Sequence, residues 1–384
     1  MVVNILIAGD TCPIGKNQRL FEIGDRESLL NDLLPNFQKA DLSLINLECP
    51  LTIHKSPIQK VGPNLNAPVK CINGIKAMEI DIVGLANNHI MDHGFKGLHT
   101  TIQSLVEAGI EYVGAGVDLK TAQMIKICEV KNIRIGIIAL AEHEFGIATQ
   151  NTPGANPIDI IEVSRNIKEN RHRFDFLIIL LHGGNEYYFY PRPSLMNTCR
   201  FLVEQGANAV ICQHSHCAGC METYKGSIIV YGQGNFIFDY DSKEDAWYYG
   251  TLICLGLDKN PNYSIKIELI PYQQSKYRPG IFRMDNDDKN KFIEEFENRS
   301  KVITDESFVV KEWKKYCLNN KKTYLNLLHG MSGILRRICA KYGFLYKFDS
   351  KETQLIRLNI IRCESHRDVL TEILNDLISS NKND

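Results

Sequence analysis

The feature that most constrains this fold is a pair of short apolar runs, each followed by histidine. Residues 175–181 precede His182, and residues 207–212 precede His214 and His216. Continuous apolar runs of this length are typical of strands that are buried on both faces of a parallel sheet. The carboxyl ends of such strands border the ligand crevice of an open α/β sheet, so we expect the three imidazoles to share one site.

Strand and helix patterns alternate through most of the chain. Strands are predicted at 3–8, 42–46, 81–85 and 133–140, and adjacent strands follow between 227 and 270. Parallel βα units followed by adjacent strands predict an α/β sandwich of two sheets. Residues 50–69 contain four prolines and are predicted to form a loop.

The composition changes near residue 285, where strand patterns end and helical patterns begin. We therefore predict a main domain at 1–285 and a helical C-terminal extension at 286–384. Between residues 311 and 347 the chain has nine lysines and arginines and one acid, Glu312. These basic helices are interpreted as a solvated surface, and the alternative is contact with an anionic partner or a membrane surface.

Composition and charge narrow the class of protein. The 384 residues are 44% apolar and 23% charged, with a formal net charge of −1, so no nucleic-acid partner is expected. The N-terminal segment reads as a first strand, not as an export signal, and no apolar run approaches the roughly 20 residues of a membrane span. These patterns predict a cytoplasmic protein, in which the twelve cysteines are reduced.

Polar residues suited to metal binding follow five of the predicted strands. They are Asp10, Glu48, Asn88 with His89, His182, and His214 with His216. Taken singly, Asp10 could cap a turn and Asn88 could belong to ordinary turn chemistry. Their convergence at strand ends favours a site for a divalent transition metal, with one or two ions of Mn, Zn or Fe. Two ions close together would activate a water molecule and stabilise a leaving oxygen.

A set of short motifs occurs in the order seen in a known protein family. The motifs are Gly9-Asp10, Asn46-Leu47-Glu48, Ala86-Asn87-Asn88-His89 with Asp92 and Gly94, Gly114-Ala115-Gly116, His182-Gly183-Gly184-Asn185-Glu186-Tyr187 with Pro191, His214-Ser215-His216 and Gly232-Gln233-Gly234-Asn235-Phe236. Over residues 3–275 the chain thus resembles the CapA family of bacterial capsule and poly-γ-glutamate biosynthesis proteins, which is related to the calcineurin-like metallophosphoesterases.

This resemblance implies a four-layer αββα sandwich of two mixed sheets and a dinuclear metal centre. It implies that Asp10 and His216 bind the first ion, that Glu48 bridges, and that the second ion takes the remaining ligands, which are Asn88, His182 and His214. His89 would be the general acid for the leaving group, because an imidazole suits proton transfer near neutral pH. Glu186 would support the ligands or face the substrate. The sequence departs from the phosphoesterase pattern at Cys12, where that pattern has a histidine.

Two functions follow from these expectations. The first is a metal-dependent hydrolase in capsule or poly-γ-glutamate biosynthesis, which cleaves a phosphoester of an anionic small molecule or polymer with metal-activated water. The alternative is a non-hydrolytic component that binds polymer or precursor and partners a synthase.

Overall fold

Two mixed β-sheets form the centre of the fold. The structure is a computed structural model that describes residues 2–259, 263–328, 338, 350–362, 366–367, 369–371, 373–374 and 378. The strands are β1 (Val2–Cys12), β2 (Leu42–Leu47), β3 (Ile82–Gly84), β4 (Glu111–Val113), β5 (Ala115–Gly116), β6 (Lys126–Val130), β7 (Ile133–Ala141), β8 (Gly154–Ala155), β9 (Phe176–His182), β10 (Ala209–Gln213), β11 (Met221–Tyr224), β12 (Ser227–Val230), β13 (Asn235–Phe238), β14 (Tyr249–Asp258), β15 (Ser264–Gln274) and β16 (Ile281–Arg283).

Each sheet combines parallel and antiparallel strands. The larger sheet has the order β16-β15-β14-β1-β2-β3-β4, and β13 pairs in parallel with the end of β1. The smaller sheet has the order β11-β12-β10-β9-β7-β6, in which β7, β9, β10 and β12 are parallel. Strands β5 and β8 form a separate two-stranded pair. The two strands that precede the histidines, β9 and β10, are therefore neighbours in the parallel part of the smaller sheet.

Helices connect the strands and follow them at the C-terminal end. They are α1 (Gln18–Ile23), α2 (Arg26–Leu30), α3 (Leu34–Lys39), α4 (Ile72–Ala77), α5 (Gly94–Ala108), α6 (Leu119–Ala122), α7 (Ile160–Asn170), α8 (Pro193–Glu204), α9 (Asn286–Val302), α10 (Glu306–Asn319), α11 (Lys321–Leu328) and α12 (Lys351–Arg362). Helix α7 begins where the side chain of Asp159 accepts hydrogen bonds from the backbone of Ile161 and Glu162, which is the usual role of an N-cap residue.

Alternation along β9 shows how the layers pack. Ile178 and Leu180 belong to the core that also contains side chains of the larger sheet, whereas Leu177 and Ile179 belong to a second core with α7 and α8. Successive side chains of a strand point to opposite faces, so β9 contacts one layer on each side. The predicted four-layer sandwich of two mixed sheets with flanking helices is thereby confirmed.

The first helix after residue 285 packs beside β11 of the smaller sheet and β15 of the larger sheet. Phe296 of α9 is buried, and Arg299 Nε donates a hydrogen bond of 2.8 Å to the carbonyl oxygen of Gly219. Contacts divide the chain into two compact units, Met1–Val310 and Lys311–Asp384. The domain boundary that we place at 285 stays a prediction, and α9 lies on the main-domain side of the division between units.

The basic segment at 311–347 is only partly described. Helices α10 and α11 carry its first five lysines, and residues 329–347 lie outside the described residues except for residue 338. Across the described ranges, no helix is both long enough and apolar enough to cross a bilayer.

The packing of β9 predicts a large effect of one core substitution. Leu180→Ala should lower the free energy of unfolding by about 2–5 kcal/mol, because it leaves a cavity between the sheets. The matched variant Ile161→Ala removes a side chain that is 64% exposed and should change stability by no more than about 0.5 kcal/mol. Urea denaturation of both variants measures the difference, and equal losses would contradict this packing.

Candidate metal centre

The predicted ligands meet where the two sheets come together. Asp10 lies in β1, and Glu48 follows β2 directly; both belong to the larger sheet. His182 ends β9 and pairs in register with Gln213, which ends β10 and precedes His214. Their convergence follows from topology, since β1 is parallel to β2 in one sheet, β9 is parallel to β10 in the other, and the candidate ligands stand at the carboxyl ends of both pairs. Two overlapping groups bring ligand atoms within 4.8 Å of one another; they are Glu48, His214 and His216, and Asp10, Glu48 and His182.

A close approach of the backbone shapes the end of β1. A Cβ atom on Gly9 would lie 2.1 Å from the carbonyl oxygen of Gly234, so only glycine fits here. The ladder between β1 and β13 shifts register between Asp10 and Thr11. The shift leaves Asp10 opposite Asn235, which brings the Gly-Asn-Phe motif to the site.

Three candidate ligand atoms lie around a fourth, His182 Nε2, at coordination spacing. This nitrogen lies 3.1 Å from His214 Nδ1, 3.0 Å from Asn88 Oδ1 and 3.5 Å from Glu48 Oε1. Metal–ligand bonds of about 2.0–2.2 Å place neighbouring ligand atoms about 3.0–3.6 Å apart in octahedral or tetrahedral geometry. The four atoms therefore suit one divalent ion.

The candidate ligand atoms around His216 lie farther apart than those around His182. His216 Nε2 lies 3.8 Å from Glu48 Oε1, and His216 Nδ1 lies 3.8 Å from Asp10 Oδ2. Nδ1 also lies 2.8 Å from Asn235 Oδ1, while Asn235 Nδ2 donates to the carbonyl oxygen of Trp247 at 3.1 Å. Because the amide oxygen can only accept, Nδ1 carries the proton and Nε2 keeps its lone pair for a metal.

Asn88 has its amide oriented by a carboxylate. Its Nδ2 donates a hydrogen bond of 3.0 Å to Glu144 Oε2, so its Oδ1 faces His182. A carboxylate only accepts hydrogen bonds, which excludes the flipped amide. The oxygen is thus the atom that Asn88 offers to an ion.

Glu48 has a carboxyl group that is buried at the centre of the site. The residue is 0% exposed, and both Oε1 and Oε2 have no hydrogen-bond partner among the described residues. Burial raises the pKa of Glu48 well above its ordinary value, and the charges of Asp10 and Glu186 add to this. An unsatisfied buried carboxyl group costs several kcal/mol, which a bound cation would offset.

His182 and His216 are held in their neutral forms. Burial and the neighbouring imidazoles lower the pKa of His182 well below 6.5, and the same causes lower the pKa of His216 to about 3. Burial also raises the pKa of Asp10, although the backbone N–H of His214 opposes this shift. Neutral imidazole is the form that coordinates metals, so the nitrogens need not release protons near neutral pH.

Backbone strain accompanies the His-x-His segment. His214 has φ of 85° and His216 has φ of 52°, both in the left-handed region that disfavours side chains with a Cβ. Such residues cost about 1–3 kcal/mol each. The hydrogen bond of 3.0 Å from the backbone N–H of His214 to Asp10 Oδ2 helps to hold this conformation. Both imidazoles reach the site only because the backbone turns in this way.

His89 lies in the turn after β3 with its ring partly exposed. Its Nδ1 lies 2.7 Å from Asp92 Oδ2, and its backbone N–H donates to Asn87 Oδ1 at 3.1 Å. Its side chain is 12% exposed, whereas the side chain of Asp92 is fully buried. This arrangement leaves Nε2 as the nitrogen available for proton transfer.

Two residues stand apart from the ligand groups. Glu186 is exposed in the loop after β9. Its negative charge contributes to the raised pKa of Glu48. Cys12 does not belong to the convergent groups in the described chain. Burial raises the pKa of its thiol well above the ordinary value, with Cys49 adding to the shift. A protonated thiol is a poor metal ligand.

Sequence reasoning missed several residues that support the ligands. Asn46 donates a hydrogen bond of 2.7 Å to Asp10 Oδ1, and Asn235, Asp92 and Glu144 orient His216, His89 and Asn88, as described above. Asn46, Asn235 and Asp92 stand inside the motifs already quoted, so their positions were a usable signal. Glu144 stands outside every motif, and nothing in the sequence links it to Asn88.

The carboxyl group of Glu48 predicts an unusual pH dependence for the metal-free protein. Its folded pKa is raised above 4.5, so the folded chain retains a proton that the unfolded chain releases as pH rises. This contribution makes the folded state less stable as pH rises from about 4.5, and Glu48→Gln removes it. Urea denaturation with a chelator present should therefore show Glu48→Gln gaining stability over wild type as pH increases.

The same variant should lose metal affinity. Even outer partners of metal ligands contribute about 10–100-fold, so Glu48→Gln should weaken binding of Mn²⁺ or Zn²⁺ at least about 100-fold in calorimetric titrations. Glu107→Gln, on the exposed face of α5, is the matched control. Parallel pH curves together with unchanged metal affinity would contradict this account of Glu48.

Comparisons with known proteins show which relatives this chain resembles. It is 30% identical over 214 residues to the capsule biosynthesis protein CapA of Bacillus anthracis, covering 53% of this chain and 52% of that protein. It is 27% identical over 226 residues to the PGA biosynthesis protein CapA of Bacillus subtilis (strain 168), covering 58% and 60%. A probable polyglutamine synthesis accessory protein of Mycobacterium tuberculosis (strain ATCC 25618 / H37Rv) is 28% identical over 220 residues, covering 52% and 56%. The chain thus spans little more than half the length of these relatives.

Among solved structures, this chain partly resembles two nucleotidases. The 5′-nucleotidase precursor from Thermus thermophilus is 14% identical, with a TM-score of 0.42 over 70% of this chain and 54% of that chain. The 5′-nucleotidase from Candida albicans is 12% identical, with a TM-score of 0.41 over 70% and 51%.

A family model matches the part of the chain that contains every candidate ligand. The model is described as bacterial capsule synthesis protein PGA_cap, and it matches residues 4–240. The range covers well over half of the chain, and it includes the strand ends that carry the site. The chain belongs to this bacterial capsule synthesis family.

Proposed function

We propose that this chain is a metal-dependent hydrolase that cleaves a phosphoester in capsule or poly-γ-glutamate biosynthesis. The observation that carries the proposal is the buried carboxyl group of Glu48, which has no hydrogen-bond partner among the described residues and lies beside neutral imidazoles. Oxygen and imidazole donors together suit Mn²⁺, Zn²⁺ or iron. A cation would satisfy the carboxylate, so the residues fit a metal centre.

The proposed ligands divide into two groups. Asn88, His182 and His214 would hold one ion together with Glu48. Asp10 and His216 would hold the other, with Glu48 shared between the two ions. When bound, such ions lower the pKa of water and offset negative charge on a phosphoryl oxygen.

His89 is the proposed acid for the departing group. Asp92 accepts a hydrogen bond from Nδ1, because a carboxylate can only accept. Nε2 is then the nitrogen that transfers a proton. As the P–O bond breaks, the imidazolium form of His89 gives its Nε2 proton to the leaving oxygen and keeps its Nδ1 proton, so an alcohol departs and a neutral imidazole remains. Glu186, exposed beside the site, would supply a further charge near the substrate.

The substrate class and the partners follow from the names of relatives. Proteins named for capsule and PGA biosynthesis point to an anionic polymer or its small precursor as the substrate. The relative named as an accessory protein supports a second candidate function, in which the chain binds polymer or precursor and assists a synthase without hydrolysis. The buried candidate ligands favour hydrolysis, since simple binding of a polymer needs no buried group of this kind.

The hydrolase proposal predicts a specific loss on replacing His89. Purified protein should contain at least one transition-metal ion per chain, and His89→Ala should lower kcat on phenyl phosphate, whose leaving group needs a proton, by about 10²–10⁴-fold. Metal analysis by mass spectrometry and steady-state kinetics measure the two quantities. The control is His99→Ala, because His99 is exposed on α5 and should leave kcat unchanged.

Two outcomes separate the candidate functions. Metal-free protein whose properties do not change on mutation of His214 would overturn the hydrolase proposal. Tight binding of poly-γ-glutamate or a synthase that is independent of His89, without hydrolysis, would support the accessory role instead.

A further inference from the structure

A loop outside the ligand groups places a buried lysine beside Nδ1 of His89. The loop leaves the fold after Leu51 and returns at Ala67, where the two residues pair and Thr52 N donates to Ala67 O at 2.8 Å. Lys60 lies within it, and its side chain is only 3% exposed. Lysine is almost never this buried unless it is paired, so its partners identify its role.

The loop is anchored on the turn that carries His89. Ser56 N donates to His93 Nδ1 at 3.1 Å, Ile58 N donates to Asp92 O at 3.0 Å, and Leu65 N donates to Asp92 Oδ2 at 2.6 Å. The loop and the turn are therefore held together at several points. Exposed apolar residues such as Ile53 and Val61 lie on the outer side of the loop.

Lys60 contacts three groups of that turn. Its Nζ donates to Asp92 Oδ1, lies 3.1 Å from His89 Nδ1, and lies 3.4 Å from the carbonyl oxygen of Asn88. Asp92 has a fully buried side chain, and a buried carboxylate needs a nearby cation. Lys60 is the ammonium group that supplies this charge within the described chain.

The shorter of the two contacts of His89 Nδ1, with Asp92, favours a proton on this nitrogen. An ammonium group only donates, so a proton on Nδ1 goes to Asp92, and Lys60 Nζ at 3.1 Å is then a neighbour of Nδ1 and not its hydrogen-bond partner. Lys60 on Oδ1 and Leu65 N on Oδ2 fix the plane of the Asp92 carboxylate, which leaves Oδ2 to accept the Nδ1 proton at 2.7 Å. Without Lys60, the carboxylate loses its charge partner and one of the bonds that hold its plane.

We propose that Lys60 is a positioning residue that holds Asp92, and through it the ring of His89, in the orientation for transfer of a proton from Nε2. The inference rests on the proposed hydrolase function for its kinetic consequence. The loop then holds the proposed acid, His89, in place. Its length allows Lys60, which is far from the strand ends, to reach the Nδ1 side of the imidazole.

The kinetic test uses two substrates that differ only in their need for a proton. Phenyl phosphate has a poor leaving group, whereas 4-nitrophenyl phosphate has a good one that departs without general acid catalysis. Lys60→Met should lower kcat about 10–100-fold on phenyl phosphate and less than about 3-fold on 4-nitrophenyl phosphate. A structural defect would lower both alike, and that result, or no loss on either, would overturn the proposal.

Matched variants complete the kinetic test. Lys55→Met makes the same change at an exposed position of the same loop and should leave both rates unchanged. Lys60→Arg keeps the cation and should restore most of the activity on phenyl phosphate. Adding Lys60→Met to His89→Ala should cause no further loss, because both act on the same step.

A second measurement does not require activity. Nitrogen-15 NMR of imidazole-labelled, metal-free protein distinguishes a proton on Nδ1 from one on Nε2, and loss of the signal in His89→Ala assigns it. At a pH where the ring is neutral, wild type should show the Nδ1-protonated form, and Lys60→Met should show a mixture of the two neutral forms. Wild type that hydrolyses neither ester would contradict the proposed function, while an unchanged tautomer in Lys60→Met would overturn the role of Lys60.

Discussion

Burial of the Glu48 carboxyl group beneath neutral imidazoles is the constraint on which the rest of the site depends. The group lies at the end of a buried strand, and its oxygens have no hydrogen-bond partner among the described residues. Such a group opposes folding unless it is protonated or meets a cation. The two-sheet core must supply the stability that the site lacks, which is the usual relation between a functional site and its scaffold.

The site joins the two sheets. Asp10 and Glu48 come from the larger sheet, whereas His182 and the His-x-His segment come from the smaller one. An ion bound among them would therefore cross-link the layers, and metal binding and folding stability would be coupled. The left-handed backbone of His214 and His216 adds a second cost that coordination would offset.

An amide, a carboxylate and a buried lysine orient the functional side chains of this site. Asn235 fixes the tautomer of His216, Glu144 fixes the orientation of Asn88, and Lys60 compensates the carboxylate beside His89. Each supporting atom can either only donate or only accept a hydrogen bond. It therefore permits only one tautomer or orientation of the side chain that it contacts. The orientation of the ligand side chains thus depends on residues that would not themselves contact an ion.

The sequence by itself determined the layers and the ligand candidates, because buried strands are visible as apolar runs and their ends share one edge. It could not determine which nitrogen of His216 is free, why Cys12 stays outside the ligand groups, or that a proline-containing loop delivers Lys60 to the turn after β3. Those features depend on contacts between residues far apart in the chain, such as Lys60 and Asp92. Local patterns carry no information on such contacts, and only the packing of the two sheets and their loops decided them.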